Sequence, residues 1–308
     1  MNKSFLPPSV NWFVPSFSHD KKVVTSHQPT IPPVTKVRVS LSQLTTRRWS
    51  LMEETQQLKA SQCDAIGLWR PKVADVGTEV AVDLIRDAGL EVSSLSFVGG
   101  FTGVNGLSYV EAIADARDAI QDAELLGAEN VIVVGGARNG HTRRHSRQLV
   151  IQALAELADF AGERGVSLSL LPMHRFFSRT WTYLNTLDET LEVLDAVNNP
   201  SVMLAFDTYH LWQEPRLLDR IPLVAALTGI VQISDALRAP QSNAERCQPG
   251  EGVIPLAEIV GAFQQVGYDG YYDVQVWSAA GWSAHDPDVV TRCRESMLRF
   301  AGQSAVFM

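Results

Sequence analysis

Residues 204–210 read LAFDTYH, an apolar run that ends on Asp207 with His210 three residues later. A carboxylate and an imidazole at that spacing can ligate a metal ion or move a proton, since one supplies anionic oxygen and the other changes charge near neutral pH. In isolation a DxxH is as readily a helix cap beside a surface hydrogen bond. Its surroundings carry more of the same kind. The run before it, VSLSLLPMH, ends on His174, and the run after it, GIVQISD, carries Gln232 and ends on Asp235. Three successive apolar runs thus deliver polar side chains at their C-terminal ends, which is the pattern of a pocket built from several strand ends. Arg246 lies in the loop that follows, where an arginine is as readily just solvated. Trp69, Trp181, Trp212, Trp277 and Trp282 lie in or just after such runs, and aromatic faces stack on the C–H faces of sugar rings. A basic run, RNGHTRRH at 138–145, can receive a phosphate or carboxylate or simply begin a solvated helix.

The elements that position these groups follow from hydrophobic periodicity. Short β-branched runs alternate with longer stretches whose apolar residues recur three and four apart, the patterns of strand and amphipathic helix. The strand candidates are VRVSL (37–41), CDAIGLW (63–69), LEVSSLSF (90–97), NVIVVGG (130–136), VSLSLLPM (166–173), SVMLAFD (201–207), GIVQISD (229–235) and YYDVQVW (271–277). Between them lie helical patterns such as SLMEETQQLKAS, TEVAVDLIRDAG, SYVEAIADARDAIQDAELLG and RQLVIQALAELADFAGERG, with Gly89 and Gly165 expected at helix C-termini. Helical crossovers make successive strands parallel, and eight βα units close most economically into a (β/α)8 barrel, the TIM barrel of the α/β class. An open doubly wound sheet is the competing topology. The glycine-rich GGFTGVNG at 99–106 fits neither dinucleotide nor P-loop spacing.

The barrel is expected over residues 37–303 as a single domain. Residues 1–36, with six of the fifteen prolines, are expected to form a Pro-rich extended tail. Hydrophobic residues make up 45% of the chain and charged residues 19%, which supports a buried core. A formal net charge of −8 argues against nucleic acid as a partner. Cys63, Cys247 and Cys293 are too few and too scattered for a disulfide framework or a CxxC metal site, so a cytoplasmic protein is expected. No apolar stretch approaches the ~18 residues of a membrane span, and no signal peptide develops before Pro7, Pro8 and Pro15.

One long segment, QPGEGVIPLAEIVGAFQQVGYDGYYDVQVWS at 248–278, carries a family resemblance. With LAFDTYH, VQISDA and LLPMHRFF in barrel order, it resembles the xylose isomerase-like TIM barrels. That superfamily takes in sugar isomerases and epimerases, inosose dehydratases, 3-dehydroshikimate dehydratases and endonuclease IV. PGEG followed by a helix and GYDG is its most specific element. The resemblance implies one divalent ion held by a Glu ending strand five, the Asp of DxxH, a His or Gln ending strand seven, and a Glu ending strand eight. On this chain the Asp falls on Asp207 and the strand-seven donor on Gln232, whereas the two glutamates fall on Leu171 and Gln275. No Glu in VSLSLLPMHRFF is available to a shifted register.

One aspartate and two amides offer a single negative charge to a hard cation, so the expected cofactor is none or, if an ion is held, Mn or Mg. The same two glutamates move the proton next to the carbonyl in the isomerase and epimerase branch. The groups left to move a proton are His174, His210, Asp207 and Asp235. Arg246 resembles an arginine that meets anionic substrate groups in related dehydratases, and with Asp235, Trp69, Trp277 and Gln275 it is expected to contact substrate. The implied function is a sugar, sugar-acid or cyclitol isomerase or epimerase with an atypical ligand set. A metal-independent carbohydrate-binding barrel and a dehydratase of the inosose or 3-dehydroshikimate type are the alternatives. An endonuclease needs a His- and Glu-rich metal cluster and suits this acidic chain poorly. The expected partner is a small carbohydrate-like molecule, with neither nucleic acid nor membrane, and related barrels often form homo-oligomers through the loops of the catalytic face.

Overall fold

The computed structural model describes residues 37–278, 286 and 288–304; the tail expected over 1–36 and Trp282 lie outside the described residues. Ten strands run through them: β1 (Arg38–Ser42), β2 (Ala65–Trp69), β3 (Glu91–Gly99), β4 (Ala128–Val134), β5 (Ser167–Leu170), β6 (Val202–Asp207), β7 (Thr228–Ile233), β8 (Asp235–Ala236), β9 (Arg246–Cys247) and β10 (Tyr271–Val274). Eight close into a barrel in the order β1, β10, β7, β6, β5, β4, β3, β2, every neighbouring pair parallel. The remaining two, β8 and β9, form a small antiparallel ribbon on the C-terminal side. All eight expected strands are barrel strands, so the TIM barrel holds and the open sheet is excluded.

The helices between them are α1 (Leu51–Ala60), α2 (Arg70–Val76), α3 (Thr78–Ala88), α4 (Tyr109–Leu126), α5 (Arg143–Gly162), α6 (Leu187–Val197), α7 (Thr208–Leu211), α8 (Leu217–Val224), α9 (Leu256–Gln265) and α10 (Val289–Ser304). Local chemistry sets their ends. Ser108 and Glu111 cap α4 reciprocally, the Ser108 hydroxyl accepting from Glu111 N at 3.3 Å and the Glu111 carboxylate from Ser108 N at 2.8 Å. Gly89 stops α3 in the left-handed region. Gly165 lies three residues beyond the end of α5 and still closes it, because Gly165 N bonds Gly162 O and Val166 N bonds Ala161 O. No helix among the described residues is long and apolar enough to cross a membrane.

Two strands are shorter than their apolar runs. β5 stops at Leu170, although Leu171 N still reaches Val133 O at 2.9 Å, and Pro172 offers no further donor. β10 stops at Val274; Gln275 N bonds Ile233 O, and then Val276 N turns away to the Thr45 hydroxyl. The run through β7 ends at Ile233, so Asp235 belongs to the ribbon rather than to the barrel wall.

The lumen is polar. Ser40 and Ser93 hydroxyls meet at 2.6 Å although β2 stands between their strands, a contact that only the interior permits. Ser40 also donates to Asp273 at 2.8 Å, and Ser169 donates to Asn130 at 2.8 Å. Barrels of this class commonly fill that space with branched aliphatics; here Val39, Leu41, Ile66 and Leu68 alternate with the polar set and are buried on the helix side. Two glycines make room. A Cβ on Gly67 would stand 2.7 Å from an Asp273 carboxylate oxygen, and one on Gly229 would stand 2.5 Å from the Asn130 amide oxygen.

Candidate functional site at the C-terminal end of the barrel

Asp207 is the last residue of β6 and the cap of α7. Its Oδ1 accepts from Tyr209 N at 2.8 Å. Thr208 ties this turn to the end of β7, donating to Ser234 O at 2.9 Å and accepting from Ser234 N at 3.0 Å. The cap uses one carboxylate oxygen. Arg246 takes the other: its Nη1 donates to Asp207 Oδ2 at 2.9 Å and to Ser234 Oγ at 2.8 Å. The Arg246 Nη2 lies 3.2 Å from His210 Nε2, and its guanidinium carbon lies 4.5 Å from the centre of the Tyr209 ring.

Arg246 thus stands on ribbon strand β9 and is buried, neither in an open loop nor solvated. The Arg246 and Asp207 side chains are 2% and 0% exposed, which makes this a fully desolvated ion pair. Burial pushes the Asp207 carboxyl above its ordinary value, while Arg246 and the N–H groups of Tyr209 and His210 pull it back. His210 is held well below its usual pKa by burial and by the Arg246 cation beside it, so it is a neutral imidazole. Because a guanidinium only donates, His210 Nε2 accepts and its proton sits on Nδ1, a tautomer assigned from the network.

Register brings further polar groups beside the pair. Asp207 pairs with Gln232 on β7, and Gln232 pairs with Asp273 on β10, so three carbonyl-bearing side chains occupy one row across three adjacent strands. Asp273 was not among the candidates read from the sequence. The cue was its place two residues before Gln275 on the same strand face, opposite the small residues Ser40 and Gly67. Burial, with the Asp207 charge adding to it against the Ser40 hydrogen bond, pushes the Asp273 carboxyl up to about 7. Gln275 is buried just beyond the end of β10, and Leu171, the other position where the resemblance expects a glutamate, is a buried core residue.

Three buried atoms in this group have no hydrogen-bond partner among the described residues: Arg246 Nε, His210 Nδ1 and Gln232 Oε1. Native proteins rarely leave such atoms orphaned without a ligand or water to meet them. His174 is half-buried and caps the short 3-10 turn Arg175–Phe177, its Nδ1 accepting from Phe176 N at 3.3 Å. Burial and Arg175 lower its pKa, against a hydrogen bond with Gln213. It shares one cleft with His210, Gln213 and Glu214.

Asp235 serves the PGEG loop. Its two oxygens accept four backbone N–H groups, from Ala236 (2.8 Å), Gly250 (3.0 Å), Gly252 (2.9 Å) and Ile254 (3.0 Å). Gly252 has no room for a side chain there, since a Cβ would fall 2.2 Å from Asp235 Oδ1. The aromatic expectation divides. Trp181 and Trp277 meet edge-to-face at 6.3 Å, and Phe97 meets Trp181 at 6.0 Å, forming one aromatic cluster. Trp69 instead lies beneath the Arg47 guanidinium, 5.2 Å from its ring centre. Phe177, absent from the sequence-based candidates, packs on His210 at 5.2 Å.

Among the described residues, no group of three or more His, Cys, Asp and Glu side chains is arranged to hold a metal ion. Asp207 is the only carboxylate at the four positions where the resemblance expects ligands, and its free oxygen faces a guanidinium.

Comparisons with known proteins agree with this barrel. An L-ribulose 3-epimerase of Methylomonas sp. is 29% identical over 157 residues, 51% of this chain and 50% of the epimerase, so the chain spans about half the length of that relative. A putative hydroxypyruvate isomerase of Streptomyces coelicolor is 26% identical over 245 residues, covering 73% of this chain and 85% of the relative. Among solved structures, a Sinorhizobium meliloti protein superposes with a TM-score of 0.78 at 26% identity, covering 85% of this chain and 98% of that one. An IolI protein solved with a bound zinc atom superposes with a TM-score of 0.74 at 16% identity, covering 87% and 99%, a likeness of fold. The family model described as xylose isomerase-like TIM barrel matches residues 56–293, and the chain belongs to that family.

Proposed function

We propose that this chain is a metal-independent isomerase or epimerase acting on a sugar, sugar acid or cyclitol, in which the Arg246 guanidinium takes the electrostatic part that the family resemblance gives to a divalent ion. The observation that carries this reading is the set of three buried, unpartnered atoms around the Asp207–Arg246 pair: Arg246 Nε, His210 Nδ1 and Gln232 Oε1. Two donors and one acceptor suit a ligand that carries a carbonyl and a hydroxyl on neighbouring carbons. The relatives named as L-ribulose 3-epimerase and inosose isomerase act on molecules of that class, and a D-allulose 3-epimerase of similar fold has been solved with D-allulose.

A divalent ion fits the residues poorly. It would find one carboxylate, already neutralised by Arg246, two amides and Leu171, too little anionic oxygen to replace its water. A guanidinium needs no such ligand set. In isomerisation or epimerisation a proton leaves the carbon next to a carbonyl and negative charge grows on the carbonyl oxygen. Arg246 Nε–H and His210 Nδ1–H are donors suited to that charge, preorganised in a site closed to water. Asp207 is the carboxylate suited to take the proton, and neutral His174 at the edge of the adjoining cleft is a second group able to carry it. Gln232 and Gln275 hold hydroxyls, Trp277 with Trp181 supplies an apolar wall, and Asp235 acts by fixing the PGEG loop.

A second reading, a carbohydrate-binding barrel without turnover, draws support from the same ion pair, because a carboxylate paired to arginine is a weakened base. Proton exchange separates the two. Chelator-treated protein is incubated in deuterated water with a panel of ketoses and inososes, and loss of the C–H signal is followed by NMR. Exchange that survives chelation and disappears in Arg246→Gln is the expected result. Exchange that requires added Mn or Mg sinks the metal-independent mechanism, and ligand binding without exchange leaves the binding reading in its place.

A further inference from the structure

The basic run at the start of α5 has no part in the site above. It forms one wall of a separate cleft of about 620 Å³, whose other wall is the segment 178–185 after β5. That size lies within the roughly 300–1,000 Å³ of small-molecule sites. Arg138, Arg143 and Arg179 line the cleft, together with Ser178, Tyr183 and Asn185, and none of the described lining residues is acidic. In a chain whose formal net charge is −8, three guanidinium groups around one cavity reverse the local field. Arg143 is paired with Glu189. Arg138 and Arg179 have no carboxylate partner among the described residues and are exposed on the cleft walls.

Two further observations mark a built site. The Tyr183 side chain is 4% exposed, yet its hydroxyl has no hydrogen-bond partner among the described residues, and it lies near the cationic Arg143 and Arg147. The walls are also held in place: Tyr183 N donates to Gly136 O at 3.0 Å, just before the basic run, and Asn185 Nδ2 braces its own segment by bridging Met173 O and Thr182 O at 2.9 and 3.1 Å. The first turn of α5, a helix of 20 residues, begins at Arg143 and adds the positive end of its dipole.

We propose that this cleft binds a phosphate group, carried on a small molecule and held by Arg138, Arg179 and the Tyr183 hydroxyl. Phosphate is favoured over a carboxylate because it carries up to two charges and three acceptor oxygens, matching several guanidinium groups and a hydroxyl at once. The phosphate has two sources with the same chemistry, the substrate of the barrel site or a separate phosphorylated effector. Asn185 lines both this cleft and the one that holds His174 and His210, so a phosphorylated substrate can span them. The proposal does not depend on the metal-independent mechanism, since it concerns binding alone.

The test is calorimetric titration of the full chain with inorganic phosphate at low ionic strength. Wild type is expected to bind, with affinity falling roughly tenfold for each arginine removed in Arg138→Gln and Arg179→Gln. Tyr183→Phe weakens it by a smaller factor, and Arg144→Gln, outside the cleft lining, leaves it unchanged. Absence of phosphate binding in wild type, or a double variant Arg138→Gln/Arg179→Gln that binds as tightly as wild type, overturns the site. An equal loss in Arg144→Gln does the same, because it reports a diffuse surface field. Titration with sugar phosphates then assigns the source: affinity that also falls in Gln232→Ala places the phosphate on the substrate, and affinity indifferent to that change places it on an effector, both in support of the site.

Discussion

Arg246 Nη1 lies 2.9 Å from Asp207 Oδ2, and neither side chain reaches solvent. The two residues are 39 apart in sequence and belong to different elements, the ribbon and the end of β6. A buried pair of this kind brings little net stability, but removing one partner strands the other charge out of water.

Arg246→Gln is therefore expected to destabilise the fold by about 3–5 kcal/mol, measured by urea unfolding. Asp207→Asn combined with Arg246→Gln should cost less than the sum of the single changes, since no uncompensated charge remains. Strict additivity would show that the pair is not coupled.

Metal affinity tests the positions where the family resemblance expects ligands. Leu171→Glu with Gln275→Glu places carboxylates where the family resemblance expects them, yet Arg246 still occupies the Asp207 oxygen. Calorimetry with Mn is expected to show strong binding only when Arg246→Gln is added to the other two. Tight binding to the wild-type chain would contradict this account.

Asp235 accepts four backbone N–H groups of the ribbon and PGEG loop. Asp235→Ala leaves those donors without their acceptor and should cost several kcal/mol, at about 1–3 kcal/mol for each buried group that finds no water. Limited proteolysis should then cut within residues 248–254, and Gly252→Ala should produce the same cleavage because its Cβ would stand 2.2 Å from Asp235 Oδ1.

Asp273 predicts a pH dependence of stability. Its folded pKa, about 7, lies above the ordinary 3.8, so the native state keeps a proton that the unfolded chain releases. The contribution is fully present below pH 3.8 and is lost as pH rises toward 7, at no more than about 1.4 kcal/mol per pH unit, with no further loss above that. Asp273→Asn should flatten this slope in unfolding experiments between those limits. An unchanged slope would assign the effect to another group.

The strand and helix rhythm was legible in the sequence because each βα unit carries its own signals: β-branched runs, capping residues such as Ser108 with Glu111, and stops such as Gly89. The placing of Asp207 and His210 at a strand end was legible for the same reason, since a few consecutive residues determine it. Leu171 and Gln275, at the positions where the resemblance expects glutamates, could likewise be read position by position. Tertiary structure alone decided what those positions face. Ser40 meets Asp273 across 233 residues of chain and Arg246 meets Asp207 across 39, contacts that depend on the register and closure of the barrel. The strand alternation places a side chain on one of two faces, but only closure of eight strands selects which polar groups share the lumen, and only the return of β9 over the rim puts a cation against the last aspartate.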